Sequence, residues 1–175
     1  MPGSPALAPA RPPTLASSCA RAATAAEAQF RIDYPEVLRR DSRVIALDEQ
    51  AAELARRLAT STERWRGGHF LVFEGVARGG GEARLRTTDG AQALLSEELA
   101  SADTVVMLAG VNASAEAAAA IGDACAARSI MSAGLVVPGG GAVDGVVSAL
   151  RPNAMVLVIL QDGDDVAEIL SALRV

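Results

Sequence analysis

TVVMLA at residues 104–109, IMSAGLVV at 130–137 and AMVLVIL at 154–160 are three apolar, β-branched runs in one half of the chain. Each leads through a turn bearing Gly, Ser or Asp into a stretch with helical periodicity, at about 115–127, 142–150 and 165–173. Val143, Val146, Val147 and Leu150 fall at i, i+3, i+4 and i+7, as do Val166, Ile169, Leu170 and Leu173. Each helix therefore turns one apolar stripe to a core. Continuous apolar strands alternating with such helices predict a parallel sheet covered on both faces.

Working outward, residues 43–47 read as another short strand, and Asp48 stands where it would cap a helix running to about Thr60. Residues 69–73 form a further apolar run, 84–88 alternate like an edge strand, and 91–102 carry Leu94, Leu95 and Leu99 at helical spacing. The expected fold is α/β, a three-layer Rossmann-like sandwich with a mainly parallel sheet of five or six strands. Residues 1–26 hold five of the eight prolines and no periodic apolar face, so they read as a flexible tail before a single domain at 27–175.

Composition removes several kinds of chemistry. All 16 basic residues are arginine, so the chain has no phosphate-loop lysine, no Schiff base and no lysine general base. His69 is the single histidine and sits at the start of a strand, away from the expected crevice, which leaves no Ser-His-Asp set. A net charge of −5 disfavours nucleic acid as a partner. No run approaches the roughly 20 apolar residues that span a bilayer. Cys19 and Cys125 form neither a disulfide framework nor a metal motif, which fits a reducing cytoplasm.

Parallel α/β sheets bind ligands at the carboxyl ends of their strands. The turns expected there contain Asn112 and Ser114, then Gly139, Gly140 and Gly141, then Asp162 and Asp164. Asn112, Ser114 and the glycines either cradle a small anion on backbone N–H groups or serve only as a helix cap and a pliant connection. Asp162 and Asp164 either hold Mg²⁺ or complement the positive end of a helix. No cofactor motif is complete, so the cofactor is unknown.

The segment Thr88-Asp89-Gly90-Ala91-Gln92-Ala93-Leu94 and the strand at 104–110 ending in Ala-Gly resemble parts of the bacterial tubulin-like cell-division GTPases. The resemblance covers under half of the chain. Where that family has a glycine- and threonine-bearing phosphate loop, residues 111–115 read Val-Asn-Ala-Ser-Ala, and its first glycine-rich loop is also missing. The resemblance therefore implies no GTP binding.

Half of the residues are hydrophobic while only 3% are aromatic, and mean hydropathy is +0.25. That excess either covers a subunit interface or reflects the Ala-rich composition. Trp65, flanked by Arg64 and Arg66, is a candidate interface anchor. The expected function is a non-catalytic or weakly ligand-binding module acting through association as a homo-oligomer. The alternative is a small-ligand enzyme or sensor with an anionic or Mg-bound ligand in the crevice.

Overall fold

The computed structural model describes residues 40–60, 65, 68–77 and 81–175. The tail at 1–26, Cys19, Arg64 and Arg66 lie outside the described residues. Among the described residues the order is β1 (Ser42–Ala46), α1 (Glu49–Ala59), β2 (Gly68–Val76), β3 (Ala83–Thr87), β4 (Gln92–Leu94) and α2 (Leu95–Glu98). It continues with β5 (Thr104–Ala109), α3 (Ala115–Arg128), β6 (Met131–Val136), α4 (Asp144–Leu150), β7 (Val156–Ile159) and α5 (Asp165–Ala172).

The strands form one sheet in the order β4-β3-β2-β1-β5-β6-β7. β1 pairs in parallel with β2 and β5, β5 with β6, and β6 with β7. β3 runs antiparallel to both β2 and β4. The sheet is therefore mixed and seven-stranded, mostly parallel, rather than one of five or six strands.

The extra strand comes from 91–102, which was expected to be helical throughout. Thr87 N–H donates to Ala91 O at 2.8 Å, Gly90 N–H donates to Thr87 O at 3.0 Å, and Gly90 takes φ +100°. This Asp-Gly turn closes a hairpin, a conformation glycine adopts without a Cβ clash. It sets Gln92, Ala93 and Leu94 opposite Arg86, Leu85 and Arg84 before the short helix α2 begins.

Alternation along the central strands sends side chains to two cores. Val44 and Ala46 of β1 pack with Ala51 and Ala55 of α1 and with Val166 and Leu170 of α5. Ile45 and Leu47 pack on the opposite face with Ile121 and Cys125 of α3 and with Val146 and Leu150 of α4. Helices thus cover both faces, and all six residues of β5 are buried. Full burial of one such Leu or Ile contributes roughly 1.5–3 kcal/mol. Burial also pushes the Cys125 thiol up to about 11, leaving it a protonated core group.

The five parallel strands, taken alone, lie in the order second-first-third-fourth-fifth. The chain reverses its direction of travel across the sheet between β1 and β5. Ligands of doubly wound sheets sit at such a switch point, outside the carboxyl ends of the two strands. No helix among the described residues is long and apolar enough to cross a membrane.

Candidate functional site

Asp48 follows the carboxyl end of β1 and takes an extended backbone at φ −148°, ending the strand and starting α1. Its Oδ1 accepts from Ala51 N–H at 2.9 Å, the cap that the sequence predicts. The same oxygen accepts from Gly110 N–H at 3.2 Å, and Oδ2 accepts from Asn112 N–H at 3.0 Å. Gly110 and Asn112 begin the loop after β5, across the switch point. Three backbone N–H groups from two strand ends therefore converge on one carboxylate. A Cβ at Gly110 would come within 2.6 Å of Asp48 Oδ2, so only glycine admits this approach.

Gln50, in the first turn of α1, reaches across to the strand end beyond β5. Its Nε2 donates to Val137 O at 3.3 Å, tying α1 to the end of β6. Gly139 lies directly against that amide, and Gly141 against Val111, where a Cβ would sit 2.8 Å from Cγ1. The structure thus brings Asn112, Ser114, Gly139, Gly140 and Gly141 to one sheet edge, as parallel strands require. Asp48, Gln50 and Val111 lie against Gly110, Gly139 and Gly141 respectively, while Asn112, Ser114 and the three glycines at 139–141 stay exposed. Ser114 Oγ accepts from Ala117 N–H at 3.4 Å, which is the capping role for α3.

Asp162 turns onto its own chain, its Oδ1 accepting from Asp164 N–H at 2.8 Å and Asp165 N–H at 3.3 Å. Among the described residues, no three His, Cys, Asp or Glu side chains gather where they could hold a metal ion. Trp65 is 5% exposed and meets Phe70 edge-to-face, with ring centroids 6.2 Å apart. Its indole belongs to the same core as α1 and α5.

Two further polar groupings lie elsewhere. A cleft of about 490 Å³ opens beside α1 over β2 and β3. Its walls carry Glu49, Arg56, Glu74 and Arg86. Arg56 is held by Glu49 at 2.9 Å and Glu53 at 3.2 Å, and Arg86 pairs with Glu74. Small-molecule pockets are mainly apolar with a few aimed polar groups; this cleft is charged and its cations are already engaged.

At the opposite, amino edge of the sheet, Arg43 is 2% exposed. It lies 2.7 Å from Glu98 and donates to Asp41 and to Ser101 Oγ, the latter at 2.9 Å. The Arg43 guanidinium holds the Asp41 carboxyl below the usual carboxylate range. His69 Nδ1 stands 3.2 Å from the same Glu98, so the histidine joins this staple and lies far from the crevice.

No protein-family model matches the chain, and no curated protein matches it.

The sequence singled out Asp48 as a helix cap. Its reach to Gly110 and Asn112 spans 62 and 64 residues and has no local signature. Gln50 went unread for the same reason.

Proposed function

We propose that this protein is a non-catalytic α/β module that acts by self-association, with a Rossmann-like three-layer frame as its scaffold. The observation that carries the reading is the Asp48 carboxylate at the switch point. Backbone N–H groups at strand and helix ends are the usual receptors for phosphate and carboxylate ligands in such folds. Here the chain supplies its own anion, and Gln50 ties α1 to the end of β6 beside it. A bound oxyanion would have to displace a tethered carboxylate that accepts three hydrogen bonds, and would meet its negative charge. The high hydropathy then belongs to contact between copies.

The test is mass against concentration. Light scattering and sedimentation on the full chain, over a hundredfold dilution through the micromolar range, should give a dimer or larger assembly. A monomer mass throughout would refute self-association. Thermal melts with inorganic phosphate, Mg-ATP and a flavin nucleotide should leave the midpoint unchanged. A saturable rise with any of them would refute the reading that Asp48 excludes an anionic ligand and would favour the small-ligand alternative.

A further inference from the structure

We infer that β7 is the surface through which two copies of this chain meet, edge to edge and antiparallel, in one continuous sheet. This rests on the self-association reading and names its surface.

Among the described residues, the large hydrophobic side chains left exposed are Met155, Val156 and Ile159, at 76%, 46% and 52%. All three lie in the run 154–160, which contains no charge and no proline. β7 ends the sheet on its side, so one row of its backbone groups has no strand partner within the sheet. Sheet edges are usually blunted by charge, proline, a bulge or brevity. The other edge follows that rule, since β4 has three residues and begins with exposed Gln92. β7 is nearly as short at four residues, but its exposed side chains are apolar and it carries no charge, proline or bulge.

The ladder fixes which backbone groups are free. Leu160 N–H donates to Val136 O at 2.9 Å, and Val136 stands in register with Ile159. In a parallel ladder this turns residues 156, 158 and 160 toward β6, and aims the backbone groups of Leu157 and Ile159 at the open edge. Side chains alternate as well. Leu157 packs on the α3 and α4 side of the sheet and Val158 on the α1 and α5 side. A two-fold axis perpendicular to the sheet keeps each face on its own side. Opposed residues must therefore share both face and outward backbone direction.

Placing Leu157 on the axis meets both conditions. Leu157 opposes the partner's Leu157 and Val156 opposes the partner's Val158, while Met155, which precedes the strand and donates its N–H inward to Ser132 O at 3.0 Å, comes beside the partner's Ile159 by its side chain alone. The exposed Met155 and Ile159 become a cross-strand apolar pair, formed twice.

Charge at the strand ends favours the same occupant. Exposed Arg151 precedes β7, while exposed Asp162 and Asp164 follow it. Antiparallel pairing carries each Arg151 toward the partner's acidic turn; a parallel arrangement would set like charges together.

The experiment compares the full chain with Ile159→Lys and Met155→Lys by sedimentation, with circular dichroism and melting to verify folding. Met155 is the second site because its exposure makes a folding defect least expected. The expected result is a wild-type dimer whose dissociation constant rises about a hundredfold or more in a folded Lys variant. A further variant, M155C/I159C with Cys19→Ser, should form covalent dimers on mild oxidation. A wild-type dimer unaffected by both Lys substitutions would overturn the β7 assignment and leave self-association standing on another face. A monomeric wild type would overturn self-association itself. Folded Lys variants that lose stability at unchanged mass would assign the edge to another segment of the same chain, which also overturns the inference.

Discussion

Asp48→Ala removes one carboxylate and leaves three N–H groups without their acceptor. Loss of the α1 cap alone costs about 1 kcal/mol, within a range of roughly 0.5–2. The Gly110 N–H is partly buried, so losing its charged acceptor adds about 1–2 kcal/mol. The Asn112 N–H is exposed and water replaces the carboxylate there, which adds only a few tenths of a kcal/mol. The expected total is about 2–4 kcal/mol. At about 3–5 °C per kcal/mol for a domain between the small and mid-sized classes, the midpoint should fall by roughly 6–20 °C. Asp48→Asn keeps one acceptor oxygen but turns an NH₂ toward an N–H group, so it should fall between wild type and Ala. Urea unfolding followed by Trp65 emission suits the measurement, because this sole tryptophan is buried against Phe70. Protein concentration must be held constant, since association shifts apparent stability. If Asp48→Ala lies within about 0.5 kcal/mol of wild type, the carboxylate does not tie the two strand ends together and the argument for a self-supplied anion falls.

Trp65→Ala should destabilise each protomer by about 3–5 kcal/mol through the cavity it leaves; a variant that melts like wild type but dissociates more readily would return Trp65 to the interface. The Asp41 carboxyl is held low in the folded state, chiefly by its hydrogen bond from Arg43. Its stabilising contribution is therefore complete above its ordinary value of 3.8 and lost as pH falls through the lower folded value. Asp41→Asn should flatten the acid limb of the stability profile below about pH 4, and an unchanged limb would remove Asp41 from the acid transition.

The strands and helices after residue 104 were legible because each strand is an unbroken apolar run, buried throughout in β5 and nearly so in β6, and because α4 and α5 repeat an apolar stripe. The hairpin was legible in principle, since Asp89-Gly90 is a turn signal. The helical spacing of Leu94, Leu95 and Leu99 concealed it, because those leucines serve β4, α2 and the following turn in succession. Strand order had no local signal, and with it went the position of the switch point. The run at 154–160 misled in another way. An unbroken apolar strand reads as central, but β7 is an edge, and periodicity cannot tell a strand buried in its own sheet from one left open on one side.

That misreading joins the two halves of the functional argument. A doubly wound sheet has three places where its framework is left open, the crevice at the switch point and the two lateral edges. In this chain the N–H groups at the switch point are taken by Asp48, and one edge ends in the three-residue β4. What remains among the described residues is β7, the sheet's other edge, with exposed apolar side chains. A sequence selected to stand alone would gain solubility from a single charge at Val156 or Ile159 at little cost to its core, since both side chains are about half exposed. Their retention as hydrophobic residues follows if the edge is covered in the working assembly. Were the wild-type chain monomeric, the same strand would be an aggregation-prone edge, and slow loss of soluble protein suppressed by Ile159→Lys would be the observation that exposes it.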